Sequence, residues 1–201
     1  MIILPDRYSP RLVGFEALAS GFDVRTARGN LAGRVVTPGG RFAITIEFPT
    51  MEYESAMELQ SLLVSAKSEG LRMAMPLGGN LQAGGAGAVD GSGAAGTTLP
   101  VKGLTPGAMI RQGYWATVID AEGNHCLHKI AAPVRVGADG KANLAVNFPL
   151  RTLLADNDVV LLARPLIEGL ITTEVNWQIP PEKYVTGLGF RIEEMEAVGA
   201  P

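Results

Sequence analysis

Arg41-Phe42-Ala43-Ile44-Thr45-Ile46-Glu47-Phe48 alternates with period two, so that Phe42, Ile44, Ile46 and Phe48 share one face while Arg41, Thr45 and Glu47 share the other. A strand buried on one side satisfies that pattern, and a helix does not. Pro38-Gly39-Gly40 is a turn signal ahead of it, and Pro49, with no N–H to give a ladder, closes it. A helix over residues 51–68 is predicted to follow at once, because no glycine or proline interrupts the chain to Lys67. Thr50 suits the N-cap, Glu52 and Glu54 suit the first turn, and Lys67 and Gly70 suit the end. Tyr53, Ala56, Met57, Leu59, Leu63 and Ala66 form a broad apolar stripe, which predicts a helix covering one face of a sheet.

Elsewhere the chain is broken into short pieces. It has 25 glycines and 13 prolines in 201 residues, a mixture that favours short strands joined by many turns. Residues 1–50 read as strands, Arg34–Thr37 among them. Between Gly78 and Gly96, glycine mixes with alanine and serine. Such a stretch has little apolar surface to offset the entropy of ordering it, so a mobile loop is expected there. Beyond it, Thr98–Val101, Gly113–Ile119, Cys126–Ile130, Leu144–Val146 and Val159–Ala163 are candidate strands. Turn clusters at 121–124, 137–140 and 156–158 separate them, as in a small barrel or sandwich. Glu174–Ile179 and Phe190–Glu193 return to an extended pattern, with Pro180 and Pro181 between them. The expected organisation is mainly β with one principal α-helix. A first domain would take residues 1–76 plus 165–201, and residues 77–164 would form an inserted β-barrel-like module carrying the Gly-rich loop 78–96.

Charge and cysteine content narrow the function. A formal net charge of -3 provides no basic surface for a nucleic-acid backbone, so sequence-specific binding to nucleic acid is not expected. With 18% charged and 47% hydrophobic residues, the balance is wrong for a disordered chain. The single Cys126 excludes an internal disulfide framework and any multi-cysteine metal site. The short apolar run Met1–Leu4 before Pro5 and Asp6 is expected to be too brief for a leader. No apolar run approaches the ~18–20 residues of a membrane helix. Synthesis in a cytosol-like compartment without membrane insertion is the expectation.

The motifs that could carry chemistry are weak. Gly91-Ser92-Gly93-Ala94-Ala95-Gly96 matches a dinucleotide fingerprint in letters, but Pro100 and the β-rich continuation deny the helix that motif needs. In His125-Cys126-Leu127-His128, alternation puts Cys126 and His128 on one face and His125 on the other, which is too few ligands for zinc. Asp156 and Asp158 flank a turn asparagine, and Glu193, Glu194 and Glu196 read as a solvated face rather than a carboxylate pair for glycoside chemistry. Tyr114 and Trp115 could contact a glycan by stacking, though a strand aromatic in a small barrel is more often core. No catalytic residue, cofactor-binding residue or metal ligand is assigned, and the chain is not expected to be an enzyme.

Several segments carry a resemblance. Met1-Ile2-Ile3-Leu4-Pro5-Asp6-Arg7, the unit Pro38–Met51 with its helix, and Gly70-Leu71-Arg72-Met73 resemble the tail-tip proteins of long-tailed bacteriophages, in particular the distal tail protein. Gly113-Tyr114-Trp115, Leu127-His128-Lys129 and Leu154–Asp158 resemble the β module inserted in that family, and Gly189–Glu194 resembles the strand completing its first domain. The resemblance implies a β-sandwich-plus-helix ring domain with an inserted small β-barrel, OB-like, module. It also implies a structural virion protein in a homo-oligomer, a hexameric ring. That ring would join the tail tube protein to the baseplate hub or tail-tip protein around the DNA conduit. The alternative function is a carbohydrate-binding receptor-attachment module of a phage baseplate, using Tyr114 and Trp115.

Overall fold

The computed structural model describes residues 1–37, 39–179 and 183–195, so the expected roles of Pro38, Pro180, Pro181 and Glu196 fall outside the described residues. The chain opens with β1 (Ile2–Ile3) and β2 (Leu12–Leu18), then a hairpin of β3 (Gly21–Arg25) and β4 (Leu31–Val36). There follow β5 (Arg41–Glu47), β6 (Met51–Glu52), α1 (Tyr53–Glu69) and β7 (Leu71–Ala74). Next come β8 (Ala86–Val89), β9 (Thr98–Lys102), β10 (Met109–Ile110) and β11 (Trp115–Ile119). After these lie β12 (His125–Lys129), β13 (Val134–Arg135), β14 (Ala142–Ala145) and β15 (Val159–Leu161). The chain returns through β16 (Leu166–Ile171), β17 (Asn176–Gln178) and β18 (Tyr184–Glu194). The fold is mainly β, with several sheets and one helix among the described residues.

Two units emerge. The first comprises Met1–Glu16, Phe42–Leu81 and Arg164–Met195; the second comprises Ala17–Arg41 and Gln82–Ala163. Residues 17–41, which the sequence reading placed in the first domain, group with the second unit. Among the described residues their hairpin forms a two-stranded sheet of its own, with β3 and β4 paired to each other.

In the first unit the strands run in the order β1-β7-β16-β18-β5-β2, with β17 and β6 also pairing with β18. Phe42, Ile44, Ile46 and Phe48 are all buried, as their alternation demands. β18 lies antiparallel to β5 with Phe190 opposite Ile46 and Ile192 opposite Ile44. The Phe48 and Phe190 rings pack with centroids 6.0 Å apart. Helix α1 covers this sheet with Ala56, Leu59, Leu63 and Ala66, all buried. The stripe is narrower than the sequence reading gave: Tyr53 is 47% exposed, and Met57 is only partly covered. The helix also starts later. Met51 and Glu52 pair with Val185 and Tyr184, so that short ladder claims them and Glu52, not Thr50, becomes the N-cap. Gly70 closes the helix at φ 81°, donating its N–H to Ala66 O.

The second unit corrects the Gly-rich loop. Its six strands run β12-β11-β15-β8-β9-β14, and β8, drawn from the supposed mobile stretch, lies inside the order between β15 and β9. A Cβ on Gly87 would come within 2.5 Å of the Lys102 carbonyl oxygen and 2.8 Å of Leu104. Glycine is used here for close approach of two backbones rather than for freedom. The two ends of the strand order also meet. Ile130 bridges Val146, Asn147 N–H donates to Lys129 O, and Ala131 N–H donates to Ala145 O. Val89, Leu99, Val101, Ile110, Val118, Leu144 and Val160 lie at the centre of a core made within this unit.

Candidate assembly surface

The hairpin β3–β4 is built by local rules. Thr26 N–H bonds to Asn30 O and Gly29 N–H to Thr26 O, with Gly29 at φ 81° making the tight turn. Register sets Phe22 opposite Val35, Val24 opposite Gly33 and Asp23 opposite Arg34. Cross-strand partners share a face, so Phe22, Val24 and Val35 lie on one side and Asp23 and Arg34 on the other. Arg34 Nε donates to Asp23 Oδ1 at 2.6 Å and holds that carboxyl below its ordinary range. The polar side is thus internally satisfied. The apolar side is exposed: Phe22 is 61% exposed, Leu31, opposite Arg25 at the turn end of the ladder, is 63% exposed, and Val24 and Val35 are also open. An isolated two-stranded ribbon with one naked apolar face is marginal in water, which makes this face a candidate contact surface.

A second exposed stretch belongs to the first unit. β2 ends the strand order there, and Leu12 and Phe15 are exposed along it. Terminal strands with apolar side chains are templates for further pairing.

The residues singled out for chemistry do other work. Trp115 is only 6% exposed, and Lys129 Nζ sits 4.8 Å from its ring centroid. The Trp115 backbone N–H donates to Gln82 Oε1 at 2.7 Å, while Gln82 Nε2 donates to Trp115 O at 2.8 Å and Leu162 O at 2.6 Å. Tyr114 packs partly buried against the second unit's core. Trp115 therefore offers no open stacking platform, whereas the Tyr114 ring is only partly covered.

Cys126 and His128 are both buried, while His125 is half-exposed near Gly123 O. Burial, helped by the nearby positive charge of Arg151, pushes the His128 imidazole down to about 3, so it is neutral at ordinary pH. Among the described residues no group of three or more His, Cys, Asp or Glu is placed to hold a metal ion.

The carboxylates are structural too. Asp158 accepts from Ala155 N–H at 2.8 Å, and Asn157 between the two aspartates takes φ 73°. Asp156 is held below its ordinary range, first by Lys102 at 2.5 Å and then by Gly91 N–H at 2.8 Å. Glu194, read from sequence as part of a solvated face, is buried at the end of β18 and accepts from Phe42 N–H of β5 at 2.7 Å. Glu193 remains half-exposed, 3.8 Å from Arg191.

The Gly91–Gly96 segment opens onto β9 rather than a helix and is pinned by Gly93 N–H to Leu154 O and Leu150 N–H to Gly96 O. The hairpin face was the surface that sequence reasoning missed. Its signal was there, in Phe22-x-Val24 and Leu31 to Val35 around Gly29-Asn30. No protein-family model matches this chain, and no curated protein is similar to it in sequence.

Proposed function

We propose that the chain is a structural subunit of a phage tail tip, self-associating into a closed ring, a hexamer, between the tail tube protein and the baseplate hub. The observation that carries this reading is the naked apolar face of the β3–β4 hairpin. A surface of that kind on each copy, meeting a different surface on the next, generates a ring whenever the rotation closes. The resemblance to distal tail proteins supplies the number six and the location in the virion.

Two further features support it. The first unit's sheet, helix on one side, is read as the ring domain. On the side away from the helix its arginines are paired: Arg72 with Glu168 at 2.6 Å, Arg191 with Glu16 at 2.8 Å and Arg11 with Glu47 at 3.7 Å. A conduit wall of that character has little excess positive charge with which to hold a passing phosphate backbone. The second unit's strand order, with its ends bridged at Ile130 and Val146, is read as the small OB-like barrel inserted in the ring domain.

Mass in solution, followed by class averages of negatively stained particles, tests the reading. The expected result is a six-subunit ring, alone or on the tail tube protein. Labelling that places the chain on the outside of a phage particle, away from the tube axis, would overturn it. Specific glycan binding lost in Trp115→Ala with folding intact would favour the receptor-attachment alternative.

A further inference from the structure

We infer that the hairpin of one copy docks across the outward side of helix α1 of the next copy; this rests on the self-association proposed above and names its two surfaces. The hairpin is basic as well as apolar: residues 21–36 hold three arginines, Arg25, Arg28 and Arg34, against the single Asp23. The chain as a whole is at -3, so the rest of it is acidic.

Helix α1 has the opposite character. Residues 53–69 hold Glu54, Glu58 and Glu69 against the single Lys67. Glu58 is paired with Arg7 at 2.7 Å and Glu69 lies 3.9 Å from the N-terminal amine, so Glu54 is the carboxylate the helix presents to a partner. Tyr53, Met57 and Val64 are spaced so that they share one side of the helix. Tyr53 is 47% exposed and Val64 51% exposed, away from the Leu59–Leu63 face that packs on the sheet. An apolar strip with Glu54 at its edge is complementary to an apolar ribbon whose turn carries Arg25 and Arg28, in both hydrophobicity and charge. Both surfaces belong to the same chain but are different surfaces, so the contact is heterologous, and each copy has one of each to offer.

Charge exchange tests it. Arg25→Glu with Arg28→Glu in one chain, and Glu54→Lys in another, are each expected to weaken association about tenfold or more in sedimentation. Glu58 is left in place because it pairs with Arg7 of its own chain. An equimolar mixture of the two chains is expected to recover assembly, because alternating copies restore an acidic hairpin on a basic helix and a basic hairpin on an acidic one. Circular dichroism establishes that each variant is folded. Phe22→Asp, at an exposed position, is a second disruptor that does not alter the helix.

Recovery in the mixture, together with loss in Phe22→Asp, supports the contact. Assembly unaffected by either charge exchange overturns it while leaving the ring standing. So does a mixture that stays dissociated, or a hairpin that captures the tail tube protein but never a second copy. A wild-type chain that is monomeric at all concentrations and on the tube protein removes the ring and this contact together.

Discussion

His128 is the residue whose chemistry is most altered by the fold. It is buried on β12, with the ring neutral because the charged form is desolvated and Arg151 lies close. Unfolding exposes it, and an exposed imidazole takes a proton near 6.5. Between that value and about 3, the unfolded state therefore binds a proton that the native state does not, and stability falls as pH falls through this window. His128→Leu is expected to flatten that part of the acid limb in urea titrations between pH 6 and 4, by on the order of a few kcal/mol. An unchanged pH slope would refute the assignment. Gly87 makes the second prediction at this scale. Gly87→Ala should cost about 1–3 kcal/mol, seen as a lower urea midpoint, because the added Cβ meets the Lys102 carbonyl. The sequence could not distinguish this glycine from Gly91 or Gly93, whose Cβ positions are open. Composition reports how free a glycine is in the unfolded chain, whereas its role here is set by a strand that lies far along the sequence.

At the scale of elements, legibility followed the range of the interactions. β5 and α1 announce themselves because alternation and three-to-four spacing are local, and their buried faces are Phe42, Ile44 and Ile46, and Leu59 and Leu63. The start of α1 was not legible, because Met51 and Glu52 are taken by a ladder with Val185 and Tyr184 from the other end of the chain. Tyr53 was read as core for a related reason: helical periodicity gives a face but not the width of what covers it. The two sides of α1 should respond very differently to truncation. Leu63→Ala, at a position with no exposure, is expected to destabilise the protein by about 2–5 kcal/mol in denaturant unfolding. Val64→Ala, one residue on and half-exposed, should change stability by under about 0.5 kcal/mol while weakening self-association. Equal losses of stability at the two positions would mean that Val64 is covered within its own chain. The hairpin had a legible turn and legible alternation, but sequence alone assigns its apolar face to a core by default, and only the fold reveals that this face is exposed.

For the whole molecule, the exposed turn and the Gly-rich stretch now exchange their expected vulnerabilities. The stretch from Gly78 to Gly96 contains an interior strand and several backbone hydrogen bonds to Leu154, Leu150 and Asp158, so its backbone is held. Among the described residues the Thr26–Asn30 turn is joined to the rest of the chain through a two-stranded ribbon, and its residues are exposed. Local opening, which is what a protease samples, is easiest where few buried contacts and few protected hydrogen bonds must be given up. Trypsin should therefore cleave first after Arg25 or Arg28, and a protease of broad specificity should also enter at this turn before it enters residues 78–96. The same experiment reads assembly. If the hairpin is covered by a neighbouring copy, cleavage at Arg25 and Arg28 must slow as protein concentration rises, while cleavage in a fully denatured control does not. Mass spectrometry of the fragments over a concentration series separates the cases. First cuts within 78–96 would mean that β8 opens more readily than its place in the sheet allows. Cleavage at the arginines with a rate independent of concentration, under conditions where sedimentation shows a ring, would mean that the ring is held by other surfaces, with the exposed β2 strand and its Leu12 and Phe15 the next to test.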